Sequence, residues 1–576
     1  MAETLISPGT LARENDQSQI TSNPITAGAA VVGPTVKGRV GIPTLVTSWT
    51  EYQATFGADF ASGSDSYTFL TSISAYNYFQ NGGTTLLVTR VASGSFTPAS
   101  SSFVSGSDAG IVASGSAFVL ETLSPGTIMN STSTETSGAL ASGSKDNLRW
   151  EITNPDTSRG VFSLLIRQGN DTPNLKSVLE TWTNLSLDPK ASNYISKVIG
   201  DQTFTLVGSG TATPYLQVTG SYPNASRYVR VKTVGLKTPD YLNNLGNPAS
   251  NLYTASIPVA ASGTFGGATG DIVVSSQNFY ENINNTNTQG LVGANYTDTF
   301  NLLANKDDYQ FNVVTTPGLI YANATHATQL NTLITNIQSR GDAIIVLDLQ
   351  NYGAAVANVT SQASNINTSY AAAYWPWLQV TDPNTGALVW VPASTLIPGV
   401  YAYNDKSAEA WFAPAGINRG GLTMVRQAER KVPQTDRDTL YVGKVNPIAT
   451  FPGQGVVVFG QKTLQTKASA LDRVNVRRLL ITLKSYISQV ASSLVFEQNT
   501  LATRNTFLSQ VNPYLESVQQ RQGLYAFKVV MDDSNNTADV IDRNQLVGAI
   551  YIQPTKTAEF IYLDFNILPT GATFPA

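Results

Sequence analysis

Gly453 and Gly455 stand two residues apart in FPGQGVVVFGQKTL (451–464), ahead of an apolar run, a further glycine and Lys462. Glycines so spaced could cradle a phosphate, because backbone N–H groups reach a pyrophosphate closely only where no Cβ intervenes. The dinucleotide pattern G-x-G-x-x-G fails at its third glycine, where Val458 stands. The order fails as well: the glycines precede the strand-like run Val456-Val457-Val458-Phe459, whereas the fingerprint needs a strand before them. A P-loop is also excluded, since the chain's only Gly-Lys pair, Gly443-Lys444, is followed by Val445. The stretch reads as a turn feeding a buried strand.

Other chemistry is scarce. Serine hydrolysis needs a base beside the nucleophile. The chain has one histidine, His326, and no G-x-S-x-G elbow. His326 falls at the start of a helical stretch, where a polar residue is ordinary. Asp307-Asp308 and Asp532-Asp533 are adjacent pairs, and adjacent residues do not face each other across a cleft as paired glycosidase carboxylates must. MDDSNN (531–536) lacks the spaced acids and the glycine of a calcium loop and reads as a turn between strands. The lack of cysteine excludes thiolate metal sites, and with one histidine the usual His-based sites are not expected. No cofactor and no catalytic or metal-binding residue is expected.

One charge feature rises above the background. From Gln461 to Lys484 the chain carries Lys462, Lys467, Arg473, Arg477, Arg478 and Lys484 against a single acid, Asp472. In a chain of net charge −4 this is a plausible docking patch for an acidic surface. The alternative is a solvated helix edge. Nothing global points to nucleic acid, and no apolar stretch approaches the ~20 residues of a membrane helix. The N-terminus lacks the basic and apolar regions of a secretory signal.

The elements that must position these residues are legible in the pattern. At 576 residues, two to four domains are expected. Charged residues are only 13%, about half the usual share, and Ser, Thr, Asn and Gly take their place. Such a surface suits contact with other protein. Residues 1–22 have a turn signal at Ser7-Pro8-Gly9, after Ile6, and no periodicity follows. Fully extended they reach roughly 70 Å, and they read as an arm. AAVVGPTVKG gives a buried strand, SWTEYQATFG a short helix closed by Gly57, SYTFLTSISAYNYFQNGG a second helix, and TTLLVTRVAS a strand.

Between Ser95 and Ser144 the character changes to Ser, Thr, Gly and Ala with short β-like runs. This is an inserted β-rich domain or, alternatively, a disordered linker. Residues 146–300 mix strands with a helical segment near 175–183. At 309–349 a β-α-β unit implies parallel strands and a right-handed crossover. RVNVRRLLITLKSYISQVASSL is an amphipathic helix. A second helix covers about 500–511, and Asn512-Pro513 starts a third that Gly523 ends. Strands follow at about 524–531 and 545–553. The last, EFIYLDFNI, alternates: Ile561, Leu563, Phe565 and Ile567 share one face, with Phe560 and Tyr562 between.

These segments resemble one family, the contractile tail sheath proteins of bacteriophages, of the type found in large contractile-tailed phages. SPG, AAVVGPTVKG, TSWTEYQATFG and YFQNGGTTLLVTRV resemble its opening segments. VFSLLIRQGNDTPNLKSVLETWTNLSLDPKASNYISKVIGD resembles its middle segment. AAAYWPWLQVTDPNTGALVWVPASTLIPGVYAYND and WFAPAGINRGGL resemble its core. VVVFGQKTL, RVNVRRLL, FEQNT, GLYAFKVVMDDSNN and PTKTAEFIYLDF resemble its C-terminal signature. Residues 96–145 and about 206–300 match least.

The resemblance implies a multidomain α/β (α+β) fold. It has an N-terminal arm at 1–22, a core at 23–95 and 301–400, inserted β-rich outer domains at 96–300, a tube-side domain at 401–557 and a C-terminal strand or arm at 558–576. It implies a non-enzymatic structural subunit that polymerises as rings around a rigid tail tube in a metastable extended state. A baseplate signal then triggers contraction, which drives the tube through the host envelope. Partners so implied are further copies of the chain, the tail tube protein, and baseplate and terminator or neck proteins, with no nucleic acid and no membrane insertion. Location would be the virion tail, after assembly in the host cytoplasm. The arms would add strands to a neighbour's sheet, and the basic residues 462–484 would face an acidic tube. Three alternatives stay open: the sheath of a related contractile injection machine, a self-assembling surface-layer or adhesin protein, and an enzyme such as a tail-associated glycosidase, against which the lack of a catalytic constellation counts.

Overall fold

The computed structural model describes residues 25–62, 65–104, 116–272 and 282–561. The expected arm residues Ile6, Ser7, Pro8 and Gly9, and Tyr562, Leu563, Phe565 and Ile567 of the expected last strand, lie outside them.

The central sheet starts with β1 (Ala29–Gly33) and β2 (Thr44–Val46). Helices α1 (Trp49–Phe56) and α2 (Leu70–Gln80) lead to β3 (Leu86–Arg90). Ser48 caps α1 through its hydroxyl, which accepts from the Glu51 N–H. After the insertion come β4 (Val313–Ile320), α3 (Ala324–Arg340), β5 (Ile344–Asp348) and β6 (Ala371–Trp375). Then follow α4 (Ile397–Ser407), α5 (Gln434–Val442), β7 (Asn446–Phe451) and β8 (Gly455–Val458).

Strands β1 to β8 form one sheet in the order β8-β7-β6-β5-β4-β1-β3-β2. Its interior pairs are parallel, for example Ile345 with Ala371 and Ala30 with Leu87. Its two edge pairs, β7 with β8 and β2 with β3, are antiparallel. The continuous apolar runs follow from burial on both faces. Alternate residues of the same strands enter two separate cores: Ala29, Val31, Leu86, Val88, Ile344 and Val346 face α2 and α4. Ala30, Val32, Leu87, Ile345 and Leu347 face Leu330, Leu333, Ile334 and Ile337 of α3. The sheet thus runs past residue 401, where the sequence places a boundary.

The insertion has its own core, built on Phe103, Phe118, Phe162, Leu164 and Phe265. Polar contacts seat it on the sheet. Lys37 Nζ lies 3.3 Å from Asp146 Oδ1, and Arg90 Nη1 donates to the carbonyls of Gly38 and Pro125. The helix expected near 175–183 is instead the strand Val178–Ser186, antiparallel to Val161–Gln168. Leu175 is 80% exposed, so no apolar helical face existed to bury there.

A fourth core lies at the C-terminus. Helices α6 (Val474–Ser492) and α7 (Leu501–Gln520) pack with β9 (Leu524–Val530) and β10 (Ala549–Pro554) around Leu483, Phe507, Val511, Leu515 and Val518. Two expectations are corrected here. Helix α7 runs unbroken through Pro513. The missing N–H costs one backbone bond, but Phe507, Val511, Leu515 and Val518 are buried on one stripe across the proline. The left-handed residue ending α7 is Gln522 (φ 63°), not Gly523. Gly523 is needed for contact: its N–H donates to the Val518 carbonyl at 2.8 Å, and a Cβ there would sit 2.6 Å from Val518 Cγ1.

Candidate assembly surface

The glycine-rich stretch is the hairpin joining β7 to β8, with Ile448 opposite Val458 and Phe451 opposite Gly455. Gly453 and Gly455 take φ 74° and 75°, and a Cβ on either would meet nothing within 4 Å. They are glycines because the turn needs positive φ, not because a ligand approaches.

His326 is fully buried at the start of α3. Its Nδ1 accepts the Ile320 N–H at 3.1 Å. Burial lowers its pKa to about 4, so the ring is a neutral brace between β4 and α3. The Asp532 carboxylate accepts the Ser534 N–H at 2.9 Å, and Asp533 accepts Arg504 Nη1 at 2.6 Å. MDDSNN is thus a braced turn on the β9–β10 side. Among the described residues no group of three or more His, Cys, Asp or Glu could hold a metal ion, and no helix is long and apolar enough to cross a membrane.

The basic patch is corrected by the structure. Arg477 and Arg478 are each 4% exposed. Arg477 lies over the Tyr370 ring at 4.0 Å and donates to Ser369 Oγ. Arg478 lies over the Tyr401 ring at 4.7 Å and donates to Asp405 Oδ2 at 2.5 Å. Burial alone would lower its pKa, and the Asp405 carboxylate outweighs that and raises it. Lys462 is half-buried and donates to the Tyr441 carbonyl at 2.8 Å. Arg473 pairs with Asp472 and Glu559. Only Lys467 and Lys484 of the six are exposed. The stripe on α6 is therefore mainly an internal bolt. Its partners lie at 369–370, 401–405 and 559, too far along the chain for local spacing to reveal.

Two features do face outward. The first is the β9–β10 sheet, paired antiparallel with Lys528 opposite Tyr551. It has two strands only, so among the described residues neither outer edge carries a partner. Phe527, Val529, Ile550 and Ile552 rest half-buried on the α6–α7 core, while Tyr525 and Tyr551 are more than 60% exposed. An unpaired edge is a template for another strand.

The second is the chain after Pro554. Residues 555–561 form no strand, and Phe560 and Ile561 are 68% and 76% exposed. Between them and β10, Glu559 turns inward. Its carboxylate accepts from Tyr441 Oη (2.7 Å), Gln461 Nε2 (3.0 Å) and Arg473 Nε (2.7 Å). Burial would raise this carboxyl, but the hydrogen bonds from Arg473, Tyr441 and Gln461 outweigh it and hold the group below its ordinary value. Sequence reading missed this site, because a lone Glu in a polar segment gives no signal.

Two family models match the chain: the phage tail sheath protein central domain over residues 273–464 and the phage tail sheath C-terminal domain over 466–568. Together they span just over half of it. The tail sheath protein of Vibrio phage KVP40 is 39% identical over 246 residues, 43% of this chain and 36% of that protein. The tail sheath protein of Enterobacteria phage T4 is 36% identical over 227 residues, 39% of this chain and 34% of that one. The matched stretch is thus about a third of each relative's length. The fold is similar to that of a sheath tail protein from Listeria innocua, at a TM-score of 0.51 and 10% identity, covering 92% of this chain and 95% of that one. With both domain models matched in order along its second half, the chain belongs to the phage tail sheath family.

Proposed function

We propose that this chain is the repeating subunit of a contractile tail sheath. It assembles with copies of itself around a tail tube, in contact with baseplate and terminator proteins, and shortens to drive the tube through the host envelope. It does no bond-making chemistry; the work is stored in subunit packing as a bistable interface. The observation that carries this reading is the β9–β10 sheet, which among the described residues has two open edges, in a chain whose sequence also carries Ile561, Leu563, Phe565 and Ile567 at the two-residue spacing an added strand requires. Supply and acceptor occur in one chain but cannot both be satisfied by closing on itself at two edges. Copies linked through them would stay joined while they rotate. In this reading the 96–300 insertion forms the outer layer, residues 1–22 and 558–576 are the linking arms, and Lys467 and Lys484 remain for an acidic tube.

Negative-stain electron microscopy of the purified chain tests this. Hollow tubes are expected without any tail tube protein, and removing residues 1–22 abolishes them. A chain that stays monodisperse at all concentrations and salts would overturn the proposal.

A further inference from the structure

We propose that Tyr441, Gln461 and Arg473 form a carboxylate socket. Through Glu559, this socket anchors the C-terminal segment and passes inter-subunit load into α6. The inference rests on the sheath reading only for the load; the anchor stands on the geometry.

Three donors from three separate elements converge on one carboxylate. Tyr441 ends α5, Gln461 follows β8 and Arg473 precedes α6. Each donates to Glu559 at 3.0 Å or less. Gln461 Nε2 also donates to Thr557 Oγ1 at 2.6 Å, two residues earlier in the same segment. Lys462 Nζ and Arg473 both lie over the Tyr441 ring, at 4.3 and 5.8 Å, which fixes the ring that donates. The Glu559 side chain is 16% exposed although its neighbours Ala558 and Phe560 are exposed.

The segment is otherwise tied at Thr555, whose N–H and hydroxyl donate to the Gly523 and Gln522 carbonyls, so Glu559 is a second tether four residues further on. Charge-assisted bonds to a carboxylate are the strong and directional ones. Beyond Ile561 the chain runs on to residue 576. A pull on those residues meets Glu559 before it reaches β10. From Arg473 it enters α6, which is bolted to the central sheet side by Arg477 and Arg478. Without the socket the pull would instead peel β10 from β9, breaking ladder bonds one at a time.

The test uses the full chain and the variants Glu559→Ala, Glu559→Gln and Tyr441→Phe. Trypsin cleavage after Lys556 of the unassembled protein is followed by mass spectrometry, with cleavage after Lys528 in β9 as the internal control. In Glu559→Ala the bond after Lys556 should be cut at least tenfold faster with the control unchanged; Glu559→Gln and Tyr441→Phe should fall between. Assembled tubes of Glu559→Ala should then break into shorter pieces under shear that wild-type tubes survive. Unchanged cleavage in Glu559→Ala would overturn the anchor. Faster cleavage with shear resistance intact would overturn the load path. If the wild type forms no tubes, the sheath reading fails, while the cleavage comparison still decides the anchor.

Discussion

Arg478 Nη2 lies 2.5 Å from Asp405 Oδ2, joining α6 to the end of α4 across 73 residues of chain. The guanidinium is buried and the carboxylate is 42% exposed, so the two partners are unequal. Beneath them the Tyr374 and Tyr401 hydroxyls sit 2.7 Å apart. Arg478→Ala should cost about 3 kcal/mol, the low end for breaking a buried pair, since it also removes the cover over Tyr401. Asp405→Asn should cost only about 1 kcal/mol, because solvent reaches that side and screens the pair. Urea unfolding of both variants checks the order; equal costs would show that Asp405 and not burial fixes the arginine.

Asp348 ends β5 fully buried, and its carboxylate accepts from the Ser394 N–H at 3.0 Å and from the Ser394 hydroxyl. Burial raises its pKa from 3.8 to about 7. A raised acid favours the protonated folded state. Its stability contribution is therefore complete below pH ~4 and lost as pH rises towards 7. Asp348→Asn removes the charge, keeps the bond from the Ser394 N–H and reverses the other, its amide donating to the Ser394 hydroxyl oxygen. Its stability relative to wild type should climb between pH 4 and 7, by at most about 4 kcal/mol at 1.36 kcal/mol per unit. Unfolding midpoints at pH 5 and pH 8 read this directly, and a constant difference would refute it.

His326 titrates with the opposite sign. Its folded pKa of about 4 lies below the ordinary 6.5, so the folded state prefers the neutral ring. Stability from this group is complete above pH 6.5 and lost as pH falls towards 4. In wild type the ring's C–H proton signals should not shift until well below pH 6. A midpoint near 6.5 by NMR would mean the ring is solvated and not a brace.

Gly455→Ala should lower stability by about 1 kcal/mol, since a Cβ is strained at φ 75° although the space around it is open. Gly453→Asn should be nearly neutral, because Asn tolerates the left-handed region. Neither should change any binding of nucleotides, which calorimetry with ATP and NAD checks. Measurable wild-type affinity lost on substitution would restore the phosphate reading.

Much of the central layer was legible from the sequence. β1, β5 and α3 were plain because their burial is uniform and periodic: AAVVG and AIIVL are apolar throughout, and Leu330, Leu333, Ile334 and Ile337 recur at helical spacing. The turn at Gly453 was legible because φ preference is a property of the residue itself.

The sequence by itself therefore determined what depends on neighbours within a turn or two: strands β1, β3, β4, β5 and β8 of the sheet, the amphipathic helices and the glycine hairpin, but not β2, β6 or β7. Tertiary structure alone decided what depends on distant partners. Val178–Ser186 is a strand because Val161–Gln168 offers it a ladder. Helix α7 crosses Pro513 because one buried stripe holds both halves. The arginines of α6 point inward because Ser369, Tyr370, Tyr401, Asp405 and Glu559 arrive there from elsewhere in the chain. A charged side chain carries no local sign of whether it will be solvated or paired. That choice rests on the desolvation cost and on the groups the fold brings to meet it.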